Sequence, residues 1–403
     1  MKKKIFAPAS KSYLQRAMVI AALAEGRSVL RNVSWCDDSL SVKAVIQQLG
    51  ATVTEYGGNL IIESRGLNIQ KPEFNVGESG LAVRMLSPVL ALSGKDLIIN
   101  GKGSLLNRPV NVIADALRQT GAEVTTNEGS LPVNIRGRIM PGKFEIDCSL
   151  TSQVLTGLLI ALPLADDDSE IKVRNLKSKP YIDMTIKIMR DFGVGIKNDD
   201  YRTFFVKGNQ RYLATEYEIE GDWSGAAFLL VAAAIAGEAE VLNLDYRSKQ
   251  ADKKIIDVLK SAGAEVSVKE KSVFVKKKNL DAFKFDATDC PDLFPPLVCL
   301  AVACDGISII KGVSRLKHKE SDRAETLQKE FEKAGVRIEI VDDNMKVYGS
   351  GIYGTTIDSR GDHRIAMAAG VMNLVSEGEI VINGENAVGK SYPHFFQDLR
   401  NLF

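Results

Sequence analysis

The sequence predicts an α/β fold with two domains, each made of three copies of a βαβαββ unit. Five helix-like segments end in glycine at nearly constant spacing, and an alternating, hairpin-like segment follows each glycine. Six apolar, Ala-rich helices also recur along the chain, each followed by a short strand. Six units of about 70 residues account for all 403 residues. Because six units are too many for one hydrophobic core, we expect a three-plus-three split into two domains.

The repeating glycines are the strongest periodic signal. They follow the segments QQL, RQT, RDF, KSA and EKA, and they are Gly50, Gly121, Gly193, Gly263 and Gly335. The spacings between them are 71, 72, 70 and 72 residues. Glycine after the last helical turn adopts the left-handed conformation at little cost, so each is predicted to end a helix. The segments that follow, such as AEVTTNEGSLPVNIRG, alternate as β-hairpins do.

The predicted helices are of a buried and an outer type. Six of them, such as SGAAFLLVAAAIAG, are apolar on nearly every face and should be buried. The helices before the glycines, such as VNVIADALRQTG, are amphipathic and should lie outside. Each unit then reads strand, buried helix, strand, outer helix and hairpin. The last outer helix is HFFQDLRNLF, and we expect the N-terminal strand to complete this sixth unit by circular closure.

The composition excludes several classes of function. The charged fraction is 26% and the formal net charge is +1, so neither nucleic acid nor a membrane is expected as a partner. The longest apolar run, Ala226 to Ala236, has eleven residues and is too short to span a bilayer. Five cysteines without a CxxC pair and three histidines without ligand spacing predict neither a disulfide framework nor a metal site. No apolar segment follows the N-terminal lysines, so we expect a cytoplasmic protein.

Polar residues collect at the starts of the predicted helices. The buried helices start at SKS, GESG, TSQ, GDWSG, CPD and GDHR, and each start taken alone is explained as an N-cap. If the buried helices of a domain run parallel, their N-terminal partial charges favour anions in one region. Cations also lie at helix starts, namely Lys11, Arg16, Arg108, Lys179, Lys319, Arg323, Arg364 and Lys390. So many cations in a nearly neutral protein predict a strongly anionic ligand.

Seven segments of the chain carry a family resemblance. They are PASKSYLQRA, GESGLAVR, SLTSQVLTGLL, SKPYIDMT, KHKESDR, GDHRIAMA and GKSYPHFF. In this order they resemble the 5-enolpyruvylshikimate-3-phosphate synthase family over essentially the whole chain. The resemblance implies a two-domain, inverted α/β barrel-like enolpyruvyl transferase fold with buried parallel helices. It implies a discontinuous domain one of residues 1–9 plus 221–403, a domain two of residues 10–220, and an active site in the cleft between them.

The resemblance also implies the ligands. The enolpyruvyl group of phosphoenolpyruvate (PEP) would pass to the 5-hydroxyl of shikimate 3-phosphate, in the shikimate pathway that leads to chorismate and aromatic amino acids. By motif position, shikimate 3-phosphate is expected at Lys11, Ser12, Arg16, Thr151, Ser152, Gln153, Ser178, Tyr181, Asp292 and Lys319. PEP is expected at Lys11, Gly80, Arg108, Gln153, Arg323, Arg364 and Lys390. Neither a metal nor an organic cofactor is implied, and we expect a monomer.

The implied reaction needs two proton transfers. The acceptor hydroxyl loses a proton as it attacks C2 of PEP, and C3 gains a proton that it returns as phosphate leaves. The expected catalytic residues are Asp292, Glu320, Lys11, His363 and Lys390. We expect Glu320 to serve C3 and Asp292 the hydroxyl, although both are also explained as helix caps and His363 as a structural imidazole. Asp322 is expected to orient Arg323.

One segment departs from the common family pattern. Residues 78–81 read Glu-Ser-Gly-Leu, where many members have Asn-Ala-Gly-Thr. The glycine is kept, so close approach of the backbone to a ligand is still expected. Glu78 adds a negative charge near an expected anion site, and its orientation is left open by the sequence.

Two rival functions are weighed against the leading one. A related enolpyruvyl transferase acting on UDP-N-acetylglucosamine would carry Asn in place of Ser12 and a reactive cysteine in a mobile loop. This chain has no cysteine between Cys36 and Cys148, which weighs against that acceptor. A non-catalytic binding protein built from the same repeat would be expected to lose the acidic residues or the cations, and none is lost.

Overall fold

The computed structural model describes residues 3–403, which fold into two compact units. Unit 1 contains the N-terminal residues up to Ser10 together with Glu220–Phe403, and unit 2 contains Lys11–Ile219. The chain therefore passes from unit 1 to unit 2 and back again. Within unit 1 the two crossing segments pair with each other, since the Ser10 N–H donates to the Glu220 carbonyl at 2.7 Å.

Twelve α-helices lie within the described residues. In chain order they are α1 (Lys11–Leu23), α2 (Asp37–Gln48), α3 (Gly80–Ala91), α4 (Asn111–Gln119), α5 (Gln153–Ala161), α6 (Lys179–Asp191), α7 (Trp223–Ala236), α8 (Ile255–Ser261), α9 (Phe294–Val302), α10 (Arg323–Glu332), α11 (His363–Asn373) and α12 (Phe395–Leu402). The odd-numbered helices are the predicted buried ones, and α9 is buried along its whole length. Among residues 3–403, no helix combines the length and the apolar character needed to cross a membrane.

The repeating glycines end the outer helices α2, α4, α6, α8 and α10, as predicted. All five adopt φ between +85° and +95°, a conformation that costs glycine little. After α2, the Gly50 N–H donates to the Gln47 carbonyl and the Ala51 N–H to the Ile46 carbonyl. These bonds satisfy carbonyls that the end of the helix would leave without a partner.

Twenty-two strands lie within the described residues. They are β1 (Lys4–Phe6), β2 (Glu25–Arg31), β3 (Thr52–Tyr56), β4 (Asn59–Arg65), β5 (Glu73–Asn75), β6 (Leu97–Asn100), β7 (Glu123–Asn127), β8 (Ser130–Arg136), β9 (Lys143–Asp147), β10 (Ser169–Arg174), β11 (Ile196–Asp199), β12 (Thr203–Val206), β13 (Glu216–Glu218), β14 (Glu238–Leu242), β15 (Glu265–Val268), β16 (Ser272–Lys276), β17 (Lys284–Asp286), β18 (Ile307–Lys311), β19 (Ile338–Val341), β20 (Asn344–Tyr348), β21 (Tyr353–Asp358) and β22 (Glu377–Asn383).

The sheets repeat one pattern, which confirms the predicted α/β fold. Unit 2 has the strand orders β13-β2-β4-β3, β5-β6-β8-β7 and β9-β10-β12-β11. Unit 1 has β1-β14-β16-β15, β17-β18-β20-β19 and the two-stranded sheet β21-β22. The first two strands of each sheet are parallel, and an antiparallel hairpin completes the four-stranded ones. In β5-β6, β9-β10, β17-β18 and β21-β22 the two parallel strands are consecutive in the chain, and the buried helix between them provides the crossover that a parallel pair requires.

The N-terminal strand does not complete the sixth unit, so that prediction was wrong. β1 pairs in parallel with β14 and thereby joins the sheet that follows α7. β13, which precedes α7 in the chain, pairs with β2 in unit 2. Each crossing lies between a strand and the buried helix after it, so each strand stays with the unit that the chain is leaving. The sixth sheet consists of the parallel pair β21-β22 without a hairpin.

Candidate active site

The predicted site residues fall in both units, each close to the start of a helix. Those in unit 1 are Asp292, Lys319, Glu320, Arg323, His363, Arg364 and Lys390. Those in unit 2 are Lys11, Ser12, Arg16, Gly80, Arg108, Thr151, Ser152, Gln153, Ser178 and Tyr181. The two groups are described separately.

Asp292 is the point in unit 1 at which three cations meet. It lies in the 3-10 turn Pro291–Leu293, which leads into α9. Its Oδ1 accepts hydrogen bonds from Lys319 Nζ at 3.1 Å and from Arg323 Nη1 at 2.9 Å. Its Oδ2 accepts one from Arg364 Nη2 at 3.3 Å. The three cations that the sequence assigned to anionic ligands therefore share one carboxylate.

Arg323, the first residue of α10, is fully buried among three carboxylates. Besides Asp292, it donates from Nη2 to Glu320 Oε2 at 2.7 Å. It also donates from Nε and Nη2 to the two oxygens of Asp362 at 2.9 and 3.2 Å. Asp362 in turn caps α11 by accepting a hydrogen bond from the Arg364 N–H at 2.9 Å. Bidentate pairing of this kind fixes a guanidinium in orientation as well as in place.

The expectation that Asp322 orients Arg323 was wrong. The Asp322 carboxylate accepts a hydrogen bond from the Glu325 N–H at 3.3 Å and so caps α10. Asp362, which the sequence analysis did not single out, makes the contacts expected of Asp322. Both aspartates precede a helix by one residue, so the local pattern gives no reason to choose between them.

His363 is the first residue of α11 and is 2% exposed. A ring nitrogen and carboxylate oxygens of Glu320 and Asp362 all lie within 4.8 Å of one another. Both carboxylates already bind the Arg323 guanidinium, which supplies a cation there, and we assign no metal to this group. Close by, Lys390 Nζ donates to the carbonyl of the residue before Asp362 at 2.8 Å.

The cations set the ionisation of Asp292. Burial raises the pKa of this carboxyl, but the charges of Arg364 and Lys319 and that of Arg323 outweigh burial and hold the pKa well below its usual range. Burial lowers the pKa of Lys319, and the charge of Asp292 opposes that shift. Asp292 is therefore an anion at every physiological pH in the unliganded chain.

Another buried carboxylate, Asp252, lies near this cluster and was missed by the sequence analysis. It is 1% exposed, and the Ser224 hydroxyl in the first turn of α7 donates a hydrogen bond to it. Burial and the charge of Asp292 raise the pKa of Asp252 to about 6. Asp252 lies in the 3-10 turn Ala251–Lys254, where no helix-start pattern marks it.

In unit 2, the start of α1 is bound to neighbouring helices. Lys11 Nζ donates to Asp38 Oδ2 of α2 at 2.9 Å, and both side chains are less than a fifth exposed. One turn further, the buried Arg16 donates to the Ser12 carbonyl and to Thr185 Oγ1 of α6, both at 2.9 Å. These bonds fix the backbone of the expected acceptor-binding segment.

Gly80 and Arg108 are brought together at the start of α3. A Cβ on Gly80 would lie 2.7–2.8 Å from three atoms of the Arg108 guanidinium, so the guanidinium rests against a bare backbone. Arg84, which the sequence analysis left unassigned, holds this region together. It donates to the Gly80 carbonyl at 3.2 Å, to Gln153 Oε1 at 3.1 Å and to the Pro109 carbonyl at 2.8 Å.

The remaining predicted residues lie at the starts of α5 and α6. Thr151 Oγ1 accepts a hydrogen bond from the Gln153 N–H at 3.2 Å, and Ser152 between them is buried. Ser178 is the N-cap of α6, with φ 57° and ψ 43°. A non-glycine residue in this left-handed conformation is uncommon, and such residues cluster at functional sites. Tyr181 follows in the first turn of α6 and is partly exposed.

Comparisons with known proteins give one consistent result. A sequence model described as EPSP synthase (3-phosphoshikimate 1-carboxyvinyltransferase) matches residues 1–399. A 3-phosphoshikimate 1-carboxyvinyltransferase of Clostridium acetobutylicum is 36% identical over 409 residues, covering 100% of this chain and 95% of that protein. The protein of the same name from Acetivibrio thermocellus is 36% identical over 393 residues, covering 96% and 93%.

A solved structure adds the evidence of the fold. The structure of EPSP synthase from Acinetobacter baumannii aligns with a TM-score of 0.83 and 26% identity, covering 100% of this chain and 95% of that one. The sequence and structure matches both extend over nearly the full length. The chain therefore belongs to the EPSP synthase family.

Proposed function

We propose that this chain transfers the enolpyruvyl group of PEP to the 5-hydroxyl of shikimate 3-phosphate and releases phosphate. This is the reaction of 3-phosphoshikimate 1-carboxyvinyltransferases in the shikimate pathway, and membership of the family supports it. The observation that carries the proposal is the convergence of Lys319, Arg323 and Arg364 on Asp292. It combines an ionised base with the cations that a reaction between two phosphorylated anions requires.

We assign the substrates to residues of both units. Shikimate 3-phosphate binds Lys11, Ser12, Arg16, Thr151, Ser152, Gln153, Ser178, Tyr181, Asp292 and Lys319. PEP binds Lys11, Gly80, Arg108, Gln153, Arg323, Arg364 and Lys390. The proposal includes a cleft between domain one (residues 1–9 and 221–403) and domain two (residues 10–220), which closes when both substrates bind. X-ray scattering curves that are identical with and without both substrates would count against closure.

The reaction proceeds by addition and elimination. The 5-hydroxyl oxygen attacks C2 of PEP while Asp292 accepts the hydroxyl proton and Glu320 gives a proton to C3. The product of this step is a tetrahedral ketal phosphate. Its C–O bond to phosphate then breaks, C3 returns a proton to Glu320, and the vinyl ether forms. The proton held by Asp292 leaves with the phosphate, which restores the base. Lys11, His363 and Lys390 stabilise the departing phosphate or assist proton transfer.

Substrate binding would also make Asp292 a stronger base. In the unliganded chain, three cations hold its pKa well below the usual range. Arg323 and Arg364 are both assigned to PEP, whose carboxylate and phosphate compete with Asp292 for them. A carboxylate that loses cationic partners gains proton affinity. Binding of PEP would therefore strengthen the base.

The proposal extends to the conditions in which the chain works. We propose a cytoplasmic monomer that needs no metal or organic cofactor and has neither nucleic acid nor membrane as a partner. The formal net charge of +1 supports the last point. Light scattering coupled to gel filtration tests the monomer. Activity that disappears with EDTA and returns with a divalent metal would contradict metal independence.

The direct test is an assay of phosphate release with purified protein. We expect release from PEP only when shikimate 3-phosphate is present, in equal amounts with the enolpyruvyl product. UDP-N-acetylglucosamine serves as the control acceptor and should give none. Phosphate release from PEP with UDP-N-acetylglucosamine, and none with shikimate 3-phosphate, would favour the transferase that acts on the nucleotide sugar. Binding of both substrates without release would favour the non-catalytic alternative.

A further inference from the structure

Glu78 marks the departure of this chain from the common family pattern, and the mechanism above gives it no role. Its carboxylate is directed at residues 101–108, which we call the Arg108 turn and which contain the 3-10 helix Gly103–Asn107. Glu78 Oε2 accepts a hydrogen bond from the Ser104 N–H at 2.9 Å and another from the Ser104 hydroxyl at 2.8 Å. Glu78 thus binds the first turn of the short helix that ends at the predicted PEP ligand.

Two further contacts join the Arg108 turn to the segment containing Glu78. Near its beginning, the Lys102 N–H donates to the Gly77 carbonyl at 2.9 Å. At its end, the Arg108 guanidinium rests against Gly80. The Glu78 contacts lie between these two in sequence, so the two segments are joined at three successive points.

The backbone of the Arg108 turn is fitted to this carboxylate. Gly103 has φ +55°, and a Cβ at this position would overlap the carboxyl group of Glu78. A carboxylate is favourable beside the first N–H groups of a helix, which carry partial positive charge. Hydrogen bonds with an ionised acceptor are also stronger than neutral ones. Geometry and charge both suit Glu78 as a cap of this turn.

We propose that Glu78 is a positioning residue that fixes the Arg108 turn and so holds the Arg108 guanidinium over Gly80 for PEP. The inference rests on the proposed function, because it takes Arg108 and Gly80 as PEP ligands. Glu78 acts through Ser104 and does not itself contact the substrate. Glu78 adds a negative charge near an anion site and yet improves anion binding, because its carboxylate accepts hydrogen bonds from Ser104 and so stabilises the turn.

The two possible roles of Glu78 have opposite consequences. If the carboxylate faced PEP, its removal would relieve repulsion and PEP would bind more tightly. If it caps the Arg108 turn, its removal loosens the turn and PEP binds more weakly. The sign of the change in PEP affinity therefore decides between the two roles, whatever its size.

The experiment compares Glu78→Ala, Glu78→Gln and Ser104→Ala with wild type. Phosphate release is measured with PEP varied at saturating shikimate 3-phosphate, and then with the acceptor varied. We expect Glu78→Ala to raise the KM for PEP about 10-fold and to change the KM for shikimate 3-phosphate less than twofold. Glu78→Gln keeps the shape and one acceptor oxygen, so it should recover part of the loss. Ser104→Ala keeps the backbone bond and should have a smaller effect.

Glu63→Ala is the matched control, because it removes a glutamate of unit 2 whose ion pair with Arg27 is exposed at 3.9 Å. It should leave both KM values unchanged. A tighter KM for PEP in Glu78→Ala or Glu78→Gln would overturn the proposal. An equal rise for both substrates would also overturn it, because the effect would then not be specific to PEP.

Hydrogen exchange of the unliganded chain separates this inference from the proposed function. We expect the amide of Ser104 to exchange faster in Glu78→Ala than in wild type, with no change in unit 2 outside the Arg108 turn. An unchanged rate would overturn the cap whether or not the chain is active. A wild-type chain with a protected Ser104 amide but no phosphate release would instead overturn the proposed function.

Discussion

Replacing Gly80 with alanine tests the close contact between backbone and guanidinium at the start of α3. Gly80 has an ordinary helical backbone, so alanine fits the conformation without strain. Alanine is also a better helix former by about 1 kcal/mol, so the fold should not suffer. The added Cβ, however, would lie 2.7 Å from Arg108 Nη1 and 2.8 Å from Cζ and Nη2. The change therefore acts on one side chain.

The size of the effect follows from these distances. Ordinary contact begins at about 3.4 Å, so the guanidinium must retreat by roughly 0.7 Å. Arg108 is 9% exposed, which leaves it little free space to move into. A hydrogen bond to a charged group contributes about 1.5–3 kcal/mol. Loss of one such hydrogen bond between Arg108 and PEP should raise the KM for PEP roughly 10- to 100-fold.

The assay is phosphate release with PEP varied at a fixed, saturating concentration of shikimate 3-phosphate. The KM for shikimate 3-phosphate should change less than threefold, because Gly80 is assigned to PEP alone. Gly195→Ala is the control, since a Cβ there meets no atom within 4 Å. A KM for PEP that stays at the wild-type value in Gly80→Ala would refute the assignment of Gly80 and Arg108.

Three further predictions concern acidic residues of unit 1. Glu320→Gln should lower kcat by about 10²- to 10⁴-fold with little change in the KM for PEP. The exposed control Glu325→Gln should behave as wild type. Unchanged turnover in Glu320→Gln would show that Glu320 does not transfer the proton. Asp362→Ala should cost about 3 kcal/mol or more in urea unfolding and raise the KM for PEP, because it leaves a buried guanidinium short of partners. Asp322→Ala removes only the cap of α10, so it should lower the free energy of unfolding by about 1 kcal/mol and leave the KM for PEP unchanged. Equal effects of Asp322→Ala and Asp362→Ala would contradict the assignment of Asp362 as the partner of Arg323. The pKa of Asp252 is raised to about 6, so between about pH 4 and 6 the folded chain keeps a proton that the unfolded chain has lost. The free energy of unfolding therefore falls as pH rises through this range. Asp252→Asn should therefore gain up to about 3 kcal/mol relative to wild type over that range, and a constant difference in unfolding free energy would contradict the shifted pKa.

The fold could be predicted from the sequence where it depends on local rules. The ends of five outer helices, α2, α4, α6, α8 and α10, require a positive φ that residues other than glycine rarely adopt, so a glycine marks each of them in the sequence. The regular spacing of these five glycines made the repeat recognisable. The buried helices were evident because they are apolar on nearly every face. Strand partners depend on contacts that are distant in sequence, so the exchange of β1 and β13 between the sheets was not foreseen.

The sequence predicted the cations of the candidate site, but it did not predict most of the residues that position them. Arg323 was marked by its motif, but nothing local distinguishes Asp322 from Asp362 as its partner. Asp252 is brought to the cluster by burial and tertiary packing, and its segment has no catalytic signature. Arg84 is one charged residue within an apolar helix, and only the folded chain shows the three segments that it joins.

The central claim is an enolpyruvyl transfer in which C3 of PEP gains and then loses a proton. The most direct measurement is mass spectrometry of the product formed from PEP and shikimate 3-phosphate in D₂O. We predict an enolpyruvyl product with deuterium in its vinyl CH₂ group and release of one phosphate per product, because C3 passes through a methyl group. Unlabelled product would contradict addition and elimination, and the absence of any enolpyruvyl product would contradict the proposed function itself.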